Sequence, residues 1–162
     1  MSDDFHEKNN VLHEDGSRGT SQFVTLYVND QLFGIPILQV QDVLGPQRLT
    51  PIPLAPKQVA GALNLRGRIV TAIDVRKRLG LPPREGNEKG MSVAVEIGTE
   101  LYSLVVDSVG EVMKLPTEDY EAAPPTLDPV WRDISDGIFR LKGDLLVVLD
   151  VERLLNTQQK AA

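Results

Sequence analysis

Asp74 and Asp150 have the strongest formal claim to chemistry in this 162-residue chain. Each closes a run of apolar, β-branched residues, Ile69-Val70-Thr71-Ala72-Ile73 and Leu145-Leu146-Val147-Val148-Leu149. Two carboxylates related by an internal repeat can share a proton and do acid–base work. That chemistry needs both acids on mobile turns facing one cleft, with a small hydroxyl residue and glycine following. Val75-Arg76 and Val151-Glu152 follow instead. Both positions read more simply as helix N-caps, whose carboxylates accept the free amides of a first helical turn. Other catalytic sets are missing. The chain has no Cys, and its two His residues, His6 and His13, lie in a polar N-terminal stretch. Ser-His nucleophiles and Cys or His metal sites therefore cannot be built in its body. The acids lack calcium-loop spacing. Asn64-Leu65-Arg66-Gly67-Arg68 carries one glycine and is no phosphate loop. The expectation is a protein without catalysis, metal or cofactor.

Arg66-Gly67-Arg68, Arg76-Lys77-Arg78, Arg84 and Lys89 form a basic stretch. Its ordinary reading is a solvated surface. A small β-barrel nucleic-acid binder using Arg66 to Lys89 is the alternative. Such a footprint needs aromatic side chains for bases to stack on, and none lies between Phe33 and Met91. The net charge of −6 also argues against it.

The elements that would position these residues read mainly as β. Phe23 to Val28 and Leu32 to Ile35 are strands joined by a turn at Asn29-Asp30-Gln31. Ile37 to Leu44 has apolar residues at helical spacing and fits a short helix or a bent strand. Pro46, Pro51, Pro53 and Pro56 fill an irregular connection. Gly61 to Leu65 and Ile69 to Ile73 pair through Arg66-Gly67, with Gly67 supplying the left-handed backbone. A short helix headed by Asp74 stops at Pro82-Pro83.

The second half repeats this order. Val24 to Leu44 lies over Val93 to Met113 without a gap, so that Val40 meets Val109 and Asp42-Val43 meets Glu111-Val112. Gly61 to Gly67 lies over Gly137 to Gly143, and Ile73-Asp74-Val75 over Leu149-Asp150-Val151. The extra residues fall in the proline-rich stretch Pro124 to Trp131. Each unit of about five strands is marginal alone. The expectation is a mainly β fold of two five-stranded β-barrel lobes with short capping helices. Lobe one would cover about 21–85 and lobe two about 90–156, with a groove between them. Trp131, the sole tryptophan, is expected to plug the core between lobes.

Composition agrees. Hydrophobic residues make up 41 % and charged residues 25 %, which excludes a chain disordered throughout. Residues 1–20 are too polar to order themselves and read as an acidic tail. Residues 157–162 read as a second, flexible one. No apolar run approaches the roughly 20 residues that span a bilayer. Met1 to Asn10 lacks a signal-peptide core. The expectation is a cytoplasmic protein without membrane insertion. Charge is unevenly divided. Residues 21–89 hold five acids and nine bases, whereas residues 90–162 hold thirteen acids and six bases. A basic first half and an acidic second half favour head-to-tail contact with a similarly built partner.

Phe33-Gly34-Ile35-Pro36-Ile37-Leu38-Gln39-Val40-Gln41-Asp42-Val43, the block from Gly61 to Arg76, and the ending from Leu145 to Leu155 resemble the CheW family, the coupling proteins of bacterial chemotaxis. The resemblance covers about residues 21–156. It implies two SH3-like five-stranded barrels. It also implies a non-catalytic adaptor between the cytoplasmic tips of chemoreceptors and the C-terminal regulatory domain of the histidine kinase CheA. An adaptor of this kind is recruited to membrane receptor arrays through its partners. By position, the family's receptor contacts fall on Val40, Asp42, Arg66, Met91 and Val112. Asp42 stands where Glu is common, and Met91 where a β-branched residue is frequent. The resemblance assigns no kinase-facing residue.

Overall fold

The computed structural model describes residues 19–85 and 90–155. The first strand, β1 (Thr20–Val28), buries Phe23 to Leu26 without a break and returns as β2 (Gln31–Pro36). The turn between them puts both Asn29 and Asp30 in the left-handed region, at φ 52° and 69°. That two-residue geometry matches strand twist and suits Asn and Asp. A 3-10 turn at Ile37–Gln39 leads to β3 (Val40–Leu44). Then come β4 (Val59–Leu65), β5 (Arg68–Asp74) and the single-turn helix α1 (Val75–Arg78). The second half supplies β6 (Met91–Ile97), β7 (Glu100–Val106), β8 (Ser108–Pro116) and a 3-10 turn at Thr117–Asp119. α2 (Pro129–Asp133), β9 (Ser135–Leu141), β10 (Asp144–Leu149) and α3 (Val151–Leu155) follow. Of the two expected tails, residues 1–18 and 157–162 lie outside the described residues, as does Asn156. Gly19 and Thr20 do not belong to a tail: the Gly19 carbonyl accepts from the Thr117 amide at 3.0 Å.

The fold is mainly β, in two five-stranded sheets of order β8-β1-β2-β10-β9 and β3-β6-β7-β5-β4. Exchanging each strand for its repeat twin turns one order into the other. The registers obey the same exchange. Val24 faces Val112 and its twin Val93 faces Val43; Phe33 faces Val147 and its twin Tyr102 faces Thr71. Each half of the chain therefore gives two strands to one sheet and three to the other.

This corrects the expected boundaries of about 21–85 and 90–156, because neither sheet is one half of the chain. Strand alternation and turn chemistry fix the hairpins β1–β2 and β4–β5. They are satisfied equally whichever twin completes the sheet. The charges regroup accordingly. Segments 20–39 and 108–149, which hold the first sheet, carry nine acids and four bases. Segments 40–85 and 91–107, which hold the second, carry six acids and eight bases. The polarity survives but is weaker than the division by halves suggests.

No ladder joins the outer strands β3 and β4, or β8 and β9, among the described residues. Isolated bridges do so instead. Thr50, beyond β3, pairs with Ala62 of β4, and Glu121, beyond β8, pairs with Ile138 of β9. The edges of each sheet are thus drawn round toward one another, which blunts exposed edge hydrogen bonding.

The largest core lies between the sheets. Leu26, Phe33 and Ile35 come from one side, and Val93, Leu104 and Val106 from the other. Each such burial contributes roughly 1.5–3 kcal/mol. Two smaller clusters, Phe23, Leu32, Phe139, Leu146 and Val148, and Leu63, Val70, Ala72 and Val105, lie on the sheets' other faces. Trp131 packs against the shared core with its ring edge-on to Phe33, centroids 5.3 Å apart.

Candidate binding site

Asp42 sits on β3 and Arg66 at the tip of the β4–β5 hairpin. The hairpin is a two-residue turn with Arg66 at φ 53° and Gly67 at φ 85°, and the Gly67 amide donates to Asn64 Oδ1 at 2.9 Å. Only the glycine was expected to need left-handed backbone. Arg66 adopts it too, which is unusual for a long side chain. The turn throws Arg66 outward, 72 % exposed, and its Nη2 donates to Asp42 Oδ2 at 2.6 Å.

The other expected contact residues spread over both sheets. Val40 faces Val95, while Asp42 faces Ala94, with a register shift between them. The extra residue, Gln41, makes a bulge that turns the following residues over. Val40 thereby packs on the shared core, and Asp42 projects from the opposite face. Met91 opens β6, half-buried and opposite Val106. Val112 lies on β8, an outer strand of the other sheet, and is 53 % exposed. The structure thus brings Asp42 and Arg66 together and leaves Val40, Met91 and Val112 apart from them. The sequence reading passes over Val43, the exposed neighbour of Asp42. Its alignment with Val112 in the repeat was the available signal.

Asp74 and Asp150 act at helix starts. The Asp74 carboxylate accepts from the Arg76 amide at 3.0 Å and the Lys77 amide at 3.4 Å. Asp150 accepts from the Arg153 amide at 3.2 Å and also from its Nε at 3.1 Å. Among the described residues no cluster of three or more His, Cys, Asp or Glu could hold a metal ion. No helix there is long and apolar enough to cross a membrane.

The basic stretch is not a free cationic face. Arg68 donates to the Thr99 carbonyl at 3.1 Å. Arg76 grips Asp107 with Nε to Oδ1 at 2.8 Å and Nη2 to Oδ2 at 2.7 Å. Arg84 Nε lies 2.9 Å from the same carboxylate. Asp107 also takes the Asn29 amide at 2.8 Å, so it ties the β1–β2 turn to α1. Burial alone would raise the Asp107 pKa. The Arg76 hydrogen bonds, the Asn29 amide and the charges of Arg76 and Arg84 outweigh it and hold the carboxyl below its usual value. Lys89 lies outside the described residues. Sequence patterning gave no hint of the Asp107 cluster, because its members come from three separated segments.

A CheW-like domain model matches residues 22–159. A chemotaxis protein CheW of Rhizobium meliloti is 23 % identical over 146 residues, covering 90 % of this chain and 94 % of its own. One from Klebsiella aerogenes is 29 % identical over 140 residues, covering 86 % and 84 %. The crystal structure of the scaffolding protein TtCheW from Thermoanaerobacter tengcongensis superposes with a TM-score of 0.75 at 28 % identity, covering 84 % of this chain and 92 % of that one.

Proposed function

The chain belongs to the CheW-like family, and from that premise we propose that it is a non-catalytic adaptor coupling the cytoplasmic tips of chemoreceptors to a CheA-type histidine kinase. The observation that supports this reading is the ion pair between Asp42 of β3 and Arg66, which the tip of the β4–β5 hairpin presents to solvent. A receptor tip is a helical bundle. One helix can set apolar side chains against exposed valines and a carboxylate against Arg66. The proposed receptor surface is Val40, Asp42, Arg66, Met91 and Val112, spanning both sheets. Val40 contributes through its position beneath the surface. The protein works in the cytoplasm and reaches membrane arrays through its partners, and the kinase's regulatory domain is the second partner.

The test is binding of the purified chain to a receptor cytoplasmic fragment and to a CheA-type regulatory domain, by co-elution. Both are expected to bind. Arg66→Ala is expected to lose receptor binding while melting like the parent. Absence of both complexes would overturn the adaptor reading. Unchanged receptor binding in a folded Arg66→Ala variant would remove the site assignment alone.

A further inference from the structure

We propose that the concavity bounded by α1, α2 and α3 is a binding site for a phosphate-bearing small anion, held by the guanidinium groups of Arg78, Arg132 and Arg153. It is a wide, open concavity of about 600 Å³, lined by those three residues with Leu79, Pro129, Val130 and Asp133. Guanidinium N–H groups donate to phosphate oxygens, and Arg78 and Arg132 keep N–H donors that are not spent on backbone carbonyls. Leu79, Pro129 and Val130 offer an apolar wall for an organic group.

Two of the arginines are set in place by the backbone. Arg78 donates from Nε to the Leu154 carbonyl at 2.7 Å and from Nη2 to the Arg153 carbonyl at 3.0 Å. Arg153 donates from Nη1 to the Asp133 carbonyl and from Nη2 to the Ser135 carbonyl, at 3.2 and 3.1 Å. Its Nε is engaged with Asp150. Arg132 donates from Nη1 to the Pro125 carbonyl, at 3.2 Å. Neither Arg78 nor Arg132 makes an ion pair among the described residues. Carbonyls orient these cations without neutralising them, and both guanidinium groups retain unused donors.

The repeat provides a control inside the molecule. α1 and the residue after it read Val75-Arg76-Lys77-Arg78-Leu79, and α3 reads Val151-Glu152-Arg153-Leu154-Leu155. Val75 and Val151 are both buried. At the twin of Arg78, α3 carries Leu154, which is fully buried. The twin position thus packs a leucine where α1 places a partly exposed arginine. Burial pushes the Arg78 pKa down, so keeping it charged there costs free energy. An anion in the concavity offsets that cost.

Calorimetric titration of the full chain with sodium tripolyphosphate and with ATP, both without divalent metal, tests this. Saturable one-to-one binding is expected, weakening as salt rises. Arg78→Leu, which copies the twin, is expected to weaken it about tenfold or more while the chain stays folded, melting lower by the loss of the bonds to the Leu154 and Arg153 carbonyls. ATP binding about tenfold tighter than tripolyphosphate assigns the apolar wall to a nucleoside. Equal affinities assign the site to the phosphate chain alone. No saturable binding of either compound at low salt overturns the proposal. So does unchanged affinity in a folded Arg78→Leu variant. Should that variant not fold, Arg132→Gln at an exposed position decides in its place.

Discussion

Asp42 and Arg66 stand on opposite edges of one five-stranded sheet and still meet, Arg66 Nη2 to Asp42 Oδ2 at 2.6 Å. β3 and β4 are the first and last strands of the order β3-β6-β7-β5-β4, so their contact requires the sheet to roll. The ion pair clasps that roll beside the Thr50–Ala62 bridge. The other sheet is clasped differently. Its Arg140 pairs with Glu121 at 3.1 Å, beside the Glu121–Ile138 bridge. The twins of Asp42 and Arg66, namely Glu111 and Lys142, make no ion pair among the described residues.

Arg66→Asn separates binding from folding. Asn tolerates left-handed backbone better than Arg, which offsets loss of an exposed ion pair worth about 0–1 kcal/mol. The variant is expected to unfold within about 1 kcal/mol of the parent in urea. Receptor pull-down is expected to fail. Binding at parental strength would remove Arg66 from the interface.

Asp107→Asn is expected to destabilise the chain by about 2–3 kcal/mol at pH 7, because Arg76 and Arg84 lose their shared counter-charge. The pH dependence has a defined sign. The folded pKa of Asp107 is depressed, so its contribution is fully present above the ordinary carboxylate pKa of about 3.9. It is lost as pH falls through the lower, folded value. Urea melts of parent and variant should differ by a constant amount from pH 7 to about pH 5 and converge below about pH 4. A gap that closes above pH 5 would count against this account.

Gly137 marks a steric contact rather than a backbone requirement. A β-carbon there would collide with the Tyr120 ring, whose hydroxyl donates to the Asp136 carbonyl and carboxylate. Burial, then the Asp136 charge and hydrogen bond, raise the Tyr120 pKa. Gly137→Ala is expected to cost about 1–3 kcal/mol. Tyr120→Phe removes the hydroxyl that bonds Asp136, about 1 kcal/mol. Thermal melts that reverse this order would show that the ring yields easily.

Asp74 discriminates a cap from a catalyst. Asp74→Asn keeps an accepting side-chain oxygen and is expected to melt like the parent, with receptor and kinase binding intact. Asp74→Ala should lose about 1 kcal/mol. Equal losses in both variants would mean that the charge, not the cap, matters.

The hairpins were legible in the sequence because turn residues and alternation act locally. Arg66-Gly67 and Asn29-Asp30 marked their turns, whereas the Val24–Val112 and Val43–Val93 pairings join the two halves and were not readable from local pattern. The segment from Ile37 to Leu44 was ambiguous for a physical reason. Its 3-10 turn and the bulge at Gln41 put Val40 and Val43 on one face, which imitates helical spacing within a strand. The Asp42–Arg66 contact was not readable, since it depends on how far the sheet rolls. Nor was the arginine-lined concavity, although the mismatch of Arg78 with Leu154 was present in the repeat alignment.

Reciprocal strand exchange sets the timing of synthesis. When residue 85 has been translated, β3 still lacks β6, its one lateral neighbour, and β5 lacks β7. Only the β1–β2 and β4–β5 hairpins can pair, and isolated hairpins are marginal in water. The nascent first half therefore leaves the ribosome with its apolar strands uncovered. It must wait for β6 and β7 to divide it into two sheets, so folding is completed after the second half emerges. Chaperone occupancy during elongation is where this architecture is most exposed.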